Sequence, residues 1–434
     1  MNRLTSFSSI DSSSIAAAGD RYGTPLYLYD EQVILDKCRS AVSMPNAFGL
    51  TVRYAMKANS NKSILNIVHA NGLKIDASSM NEVRRASNAG IPYRDIMLTT
   101  QEVPLKQELQ ALKEMMHAGL TYNVCSLQQL QNIGDFAAEN SIKLAIRCHP
   151  GIGAGESATR NTGDNYSCFG IHLSDIPAAL DYAKGKGVVF NLVHTHIGSG
   201  GDPATWRNNI DLELSIIEQY FPFAEAVSFG GGLKEARMPD EIAANIEDLG
   251  TYAKQRITAF YQKTNRKLKM EIEPGTYIMA LSGFIVTTVI DKKKTGPDGF
   301  NFIVLDGGME VNTRPLLYAS RHPFYVVSQT GDLLSSEFDE GSQGGYRAVL
   351  VGRCCESGDS QTLDASGLTV PRGMAEPQVG DYIAIGGAGA YCSSMSPMNY
   401  NSQVQSREVL YTREGDFRVI REKQTLEQIL ANER

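Results

Sequence analysis

No run among the 434 residues approaches the roughly 20 apolar residues that a membrane-spanning helix needs, so no membrane association is expected. The start of the chain, MNRLTSFSSIDSSSIAAAGD, is polar and serine-rich. Its apolar piece, Ile15 to Ala18, is too short for the core of a secretion signal. Positive charge is not in excess: 41 Lys and Arg stand against 48 Asp and Glu, a net charge of −7. Bulk attraction to nucleic-acid phosphates or anionic lipid is excluded, and only a local basic patch stays open. Cysteine offers no framework. The seven residues are an odd number, Cys354 and Cys355 are adjacent, and the rest are isolated, which suits neither a disulfide scaffold nor a zinc site. A reducing, cytoplasmic setting is expected. No internal repeat of fixed short period and no long low-complexity segment occurs.

What is present is an ordinary globular composition, 42% hydrophobic and 21% charged, with enough chain for two or three domains or for one large barrel plus a smaller domain. From about residue 50 to 275, short β-branched or aromatic runs alternate with longer stretches of helical periodicity. The strand candidates are Thr51–Lys57, Leu73–Ala77, Asp95–Thr100, Leu120–Cys125, Lys143–His149, Val189–Ile197, Ala226–Gly230 and Leu268–Glu273. Helical stretches such as Lys62–Ala70, Met80–Ala89, Pro104–Ala118 and Leu127–Glu139 lie between them, with Gly72, Gly90 and Gly119 where C-caps are expected. Eight strands alternating with helices predict an α/β fold, an eight-stranded parallel (β/α) barrel over residues 30–280. An open doubly wound sheet is the competing reading. After residue 280 the character changes to GFIVTTVIDKKK, NFIVLDGG, RAVLVGRCC and GDYIAIGGAGAY, strands between Gly/Pro/Asp turns, until a helical end at Thr425–Asn432. A second, all-β domain of sandwich or Greek-key type is expected over 1–29 plus 281–434, with Pro25–Tyr29 as an early strand.

Polar residues collect at the ends of the barrel strands, where such barrels place their chemistry. Lys57 ends the first. It reads either as a surface lysine or as one used covalently. His194 and His196 share a side of the sixth strand by its period of two. They could ligate metal, stack on an aromatic ligand, act as acid or base, or be hydrogen-bonded core residues. Ser199 and the glycines after it offer donors to an anion. Gly230, Gly231 and Gly232 could cradle a phosphate or form a plain turn. Glu273 could hold a protonated ring nitrogen or pair as an ordinary strand-end carboxylate. In the β domain, Cys354 and Cys355 read as buried fillers unless used chemically. Arg314 and Tyr318 suit a carboxylate or a surface turn. Gly386–Tyr391, followed by Met395–Asn401, is a weak phosphate-loop pattern.

Taken in order, YAMKAN, DASSMNE, the stretch from Arg147 to Ile171, HTHIGS, GGG, EPG, CCESGD and GAGAYCSSMSPMNYNS resemble the fold-type III pyridoxal-phosphate decarboxylases. The diaminopimelate branch is the nearest in pattern, over about residues 24–410. The resemblance implies pyridoxal 5'-phosphate (PLP) as cofactor and a small amino-acid substrate. It makes Lys57 the Schiff-base lysine, His196 the residue stacked on the ring, and Glu273 the partner of the pyridine nitrogen. Ser199, Gly230, Gly231, Gly232, Gly275, Thr276 and Tyr391 would bind the cofactor. Cys355 would be the proton donor, and Arg314, Tyr318, Glu356 and Tyr391 would hold the substrate. It further implies a homodimer with shared active sites, no metal, and decarboxylation of meso-diaminopimelate to L-lysine and CO2 as the last step of lysine biosynthesis. The alternatives are a related substrate such as carboxynorspermidine, a racemase, or a non-catalytic regulator of the same fold; retention of Lys57, His196, Glu273 and Cys355 argues against the last. One position departs from the pattern. The family reads Glu-Pro-Gly-Arg, whereas here Thr276 stands in place of the arginine, and a hydroxyl cannot replace a bidentate charged clamp. Lys234, Arg237 and Arg321 are the cations to consider in its stead.

Overall fold

The computed structural model describes residues 4–5, 8–152, 162–164, 166–198, 203–338 and 345–434. Ser199 lies outside them. The chain forms two compact units, Lys37–Glu235 with Ile242–Ile278, and Met1–Asp36 with Ala236–Glu241 and Met279–Arg434.

The first unit is a closed parallel barrel. Its strands are Leu50–Ala55, Lys74–Ala77, Ile96–Thr99, Thr121–Val124, Leu144–His149, Phe190–His194, Ala226–Ser228 and Lys269–Ile272. Each pairs with the next, and Met270 against Leu50 closes the ring. Seven fall inside the segments read from the sequence and the first begins one residue earlier, at Leu50, because strands buried on both faces read as short continuous apolar runs. The helices between them are set by local chemistry. Asn61, Ser79 and Ser126 each accept an amide of the first turn with the side chain, and so start Lys62–Ala70, Met80–Asn88 and Leu127–Glu139. Gly72, Gly90 and Gly119 follow with φ of 89°, 93° and 106°, the left-handed turn that ends a helix. Among the described residues no helix is long and apolar enough to cross a membrane.

A polar network supports the sixth strand from outside. Asn209 Nδ2 donates to Thr195 Oγ1 at 2.8 Å, and Thr195 Oγ1 donates to Glu213 Oε2 at 2.7 Å, all three fully buried. Burial pushes the Glu213 carboxyl well above its ordinary value, with Thr195 opposing and Glu273 adding to the rise. A carboxyl raised in the native state keeps a proton that the unfolded chain releases above pH 4.5. Its stabilising contribution is therefore complete below that pH and drains away as pH climbs toward the native value. Glu213→Gln is expected to raise Tm by about 2 °C or more at pH 8 and by less at pH 5. Equal changes at both pH values would mean that the native carboxyl titrates as in the unfolded chain.

The second unit is built on a ten-stranded, mostly antiparallel sheet. Leu26–Asp30 sits centrally, antiparallel to Gly283–Lys294 and parallel to Arg407–Tyr411. Gly283–Lys294 is 12 residues long and serves three neighbours: its first half pairs with Leu26–Asp30 on one side and Tyr382–Ile385 on the other, and its second half with Asn301–Leu305. The sequence reading missed Phe324–Val327, Leu333–Ser336, Arg372–Met374, Arg407–Tyr411 and Phe417–Arg421, whose surroundings carry no long apolar signal. The serine-rich start forms a helix, Ser12–Tyr22, capped by Asp11. Its Ile15, Ala16 and Ala18 pack with Leu26, Leu28, Phe284 and Val286 in the core.

Candidate active site

The first barrel strand stops at Ala55, two residues before the sequence reading ended it. Met56–Ala58 turns as a short 3-10 helix, and Tyr54 donates its hydroxyl to the Asn59 carbonyl at 2.9 Å across the turn. Lys57 therefore stands on a pinned turn at the barrel mouth, with an exposed side chain. Asp76, at the end of the neighbouring strand, is buried. Burial raises its carboxyl well above the usual range, the nearby Glu273 adds to this, and Lys57 opposes it.

Glu273 follows the eighth strand and is buried. It accepts from Ser228 Oγ at 2.9 Å, and its Oε2 lies 3.2 Å from His194 Nε2. Burial alone would raise this carboxyl, but His194 beside it and the Ser228 hydroxyl outweigh it and hold the group well below the usual carboxylate range. Glu273 is thus an anion over the whole working pH range. His194 lies inside the barrel, where its Nδ1 meets Asn123 Nδ2 at 2.8 Å. His196 lies just beyond the strand. The two rings are 6.3 Å apart, so both occupy the mouth side, as the alternation required. Burial, with Arg147 and Lys57 as neighbouring positive charges, pushes His196 well below the ordinary imidazole range. It is neutral, and because the Gly231 N–H donates to its Nδ1 at 2.9 Å, its own proton sits on Nε2.

Gly230 to Gly232 are packed where no side chain fits. A Cβ on Gly230 would stand 2.6 Å from His196 Nδ1, and one on Gly231 would stand 2.7 Å from the Glu273 carbonyl oxygen. Gly230 and Gly232 also need φ of 66° and 92°. Trp206, buried in the helix Pro203–Tyr220, donates its indole N–H to the Gly231 carbonyl at 3.2 Å. Gly275 is buried, and Thr276 begins the short helix Thr276–Met279 with its side chain buried as well.

In the second unit, Arg314 is not a surface turn residue. It starts the helix Arg314–Tyr318 and is 1% exposed. Its Nη2 donates to Ser320 Oγ at 3.2 Å, while its Nε makes no hydrogen bond among the described residues. The rings of Tyr318 and Tyr391 lie 5.9 and 6.0 Å from its guanidinium carbon. Tyr391 itself takes a left-handed φ of 62°. The two adjacent cysteines separate clearly. Cys354 is buried, donates to Glu310 Oε2 at 3.5 Å, and is pushed up to about 12 by burial with Glu310 beside it. Cys355 is exposed at the tip of its loop, next to exposed Glu356. Glu356 is held below the usual carboxylate range by the Gly358 amide and the Ser357 and Tyr400 hydroxyls. Of the cations considered in place of an arginine at 276, Arg237 is buried with its Nε on the Gly387 carbonyl at 2.9 Å. Arg321 is exposed, and its Nη2 donates to both carboxylate oxygens of Asp240 at 2.8 Å.

Three residues escaped the sequence reading. Asn123 and Trp206 carried no motif. Asp359 stood inside a motif without a role. Its carboxylate accepts the Met309 amide at 2.6 Å and the Cys354 amide at 2.8 Å, which anchors the loop that carries Cys355.

The barrel mouth suits pyridoxal phosphate. Asp76 Oδ1 and Asn123 Oδ1 are buried there without a hydrogen bond among the described residues, an expensive state unless a polar ligand meets them. An ionised, buried carboxylate matches a protonated ring nitrogen. The side-chain-free Gly230–Gly232 turn presents bare backbone of the kind that cradles phosphate. His194, His196 and Glu273 also bring ligand atoms within 4.8 Å of one another, a set that geometry alone would equally allow for a metal. The comparisons decide between these. Residues 34–280 match the family model described as pyridoxal-dependent decarboxylase, pyridoxal binding domain. The chain is 32% identical to the diaminopimelate decarboxylase of Escherichia coli K12 over 95% of this chain and 94% of the relative. A crystal structure of a diaminopimelate decarboxylase, 30% identical, superposes with a TM-score of 0.89 over 99% of this chain and 98% of its own. The Helicobacter pylori diaminopimelate decarboxylase complexed with L-lysine, 28% identical, does so at 0.77 over 96% and 98%. The fold and site define a pyridoxal-dependent decarboxylase of the barrel type. Within that class the chain belongs to the diaminopimelate decarboxylase family, and its cofactor is pyridoxal 5'-phosphate.

Proposed function

We propose that this protein decarboxylates meso-diaminopimelate to L-lysine and CO2, the last step of lysine biosynthesis, as a cytoplasmic homodimer whose active sites are shared between subunits. The observation that carries the substrate choice is Arg314. A guanidinium with 1% exposure that finds only a serine hydroxyl to donate to among the described residues is costly to bury, and a substrate whose far end carries a carboxylate supplies the missing charge. Tyr318 and Tyr391 flank that guanidinium and would line the same subsite.

When bound, pyridoxal phosphate supplies a sink for the electron pair left on Cα as CO2 departs. Lys57 would hold the cofactor covalently. Gly230, Gly231, Gly232, Gly275, Thr276, Ser199 and Tyr391 would surround its phosphate. Neutral His196 would lie against the ring face, fixed there by the Gly231 amide. Anionic Glu273 would keep the proton on the ring nitrogen. Cys355 would return a proton to Cα, and Glu356 would accept the substrate's distal ammonium. In the dimer, Cys355 and Glu356 would serve the barrel of the partner subunit.

Thr276 favours a second reading, a decarboxylase of a related substrate such as carboxynorspermidine. CO2 release by the cofactor-loaded protein, tested on meso-diaminopimelate beside L,L-diaminopimelate, L-lysine and L-ornithine, separates the two. Turnover of the meso isomer alone is expected. Because Arg314 already provides a cation, Thr276→Arg is expected to change KM for meso-diaminopimelate by no more than about threefold. A drop of about tenfold or more, worth some 1.4 kcal/mol, would mean that the native substrate is a different one.

A further inference from the structure

The segment Met395–Asn401 reads in sequence as an extension of a glycine-rich run, and the functions assigned so far leave it without a task. Its end is strained. Asn399, Asn401 and Ser402 have φ of 63°, 49° and 56°, a left-handed region that costs any residue bearing a Cβ. Such a cluster persists only where its surroundings over-determine it, and here they do. Asn399 Nδ2 donates to the Gln403 carbonyl at 3.0 Å and to Gln424 Oε1 at 2.7 Å. The Ser402 and Gln403 amides close onto the Asn399 and Tyr400 carbonyls, both at 3.0 Å. The strained turn sets two neighbouring side chains on one loop. Asn401 Oδ1 accepts the Cys355 N–H at 2.7 Å. The Tyr400 hydroxyl donates to Glu356 Oε2 at 3.2 Å.

We propose that Tyr400 and Asn401 are positioning residues that divide the work of the Cys355–Glu356 tip: Asn401 fixes the backbone from which the Cys355 thiol projects, and Tyr400 fixes the carboxylate that selects the substrate's distal amine. The proposal rests on the decarboxylase reading of Cys355 and Glu356. Within one chain both tip residues are exposed, so that chain orients them by hydrogen bonds rather than by packing. The Cys354 amide is tied to Asp359 and the Cys355 amide to Asn401. Two consecutive amides held by different segments fix the peptide plane on either side of Cys354. Such a constraint matters where a proton donor must stand within hydrogen-bond reach of a carbon centre, since displacements of about 1 Å cost on the order of 10²-fold in rate.

The test uses the cofactor-loaded full chain, steady-state kinetics on meso-diaminopimelate, and the rate of Cys355 alkylation by iodoacetamide resolved by peptide mass spectrometry. Asn401→Gly relieves the strain but removes the acceptor, whereas Asn401→Asp keeps an acceptor and tolerates the same backbone. Asn401→Gly is expected to lower kcat by about 10- to 100-fold with KM little changed, and to alter the alkylation rate at Cys355. Asn401→Asp is expected to recover most of kcat and the original alkylation rate. Tyr400→Phe is expected to raise KM by about three- to tenfold, more than it lowers kcat. A fully active Asn401→Gly, equal failure of the Gly and Asp variants, or a Tyr400→Phe whose loss lies in kcat would overturn the proposal. If the unaltered protein does not turn over meso-diaminopimelate, the substrate reading fails by itself. The alkylation order then decides the proposal: Gly altered and Asp unaltered supports it, and any other order overturns it.

Discussion

Lys57→Ala is expected to lose decarboxylation by at least about 10³-fold, and with it the visible absorbance of the lysine-bound cofactor. The reason lies in the turn. Met56–Ala58 is closed by Tyr54 on the Asn59 carbonyl, so truncating the Lys57 side chain removes an amine without removing the structure that carries it. The barrel is expected to unfold at an unchanged temperature in the cofactor-free state. A small primary amine added to the variant should restore part of the rate, since it replaces a reactive group and not a fold element. Retention of the visible band in Lys57→Ala would give the covalent role to another lysine.

Cys355→Ala is expected to slow product formation by about 10²- to 10⁴-fold, the usual worth of a positioned acid, with cofactor absorbance intact. Cys354→Ala is the matched control. Cys354 is buried, and its thiol is pushed up to about 12, so it donates to Glu310 and stays protonated at working pH. Its loss should cost stability more than rate, as removal of a buried small residue does. An unchanged rate in Cys355→Ala with a collapsed rate in Cys354→Ala would exchange the two assignments.

The barrel was legible because its signal is local and repeated. Buried strands such as Ile96–Thr99 read as apolar runs, and serine or asparagine caps and terminal glycines punctuate the helices between them. Strand ends were less legible. Lys57 and His196 each fall beyond a strand that the sequence extended through them, since the apolar run does not record where pairing stops. The β unit was harder still. Arg407–Tyr411 is short and flanked by polar residues, and it earns its place from parallel pairing with Leu26–Asp30, nearly 400 positions away. Motif residues such as Glu273 and Cys355 could be singled out, but not their surroundings. That Arg314 is buried, that Cys354 rather than Cys355 is the enclosed thiol, and that Trp206 reaches the glycine turn all depend on contacts between distant segments.

That last contact makes the protein its own optical probe. The chain has a single tryptophan, Trp206, buried beside Phe229 with its indole N–H on Gly231. Selectively excited indole emission therefore comes from one place, the wall of the Gly230–Gly232 turn. It should be that of a water-excluded indole, and a bound pyridoxal chromophore absorbing in the emission range should quench it by energy transfer. Loading, release and exchange of the cofactor could then be followed in real time in the unlabelled protein, without a substrate and without reference to turnover.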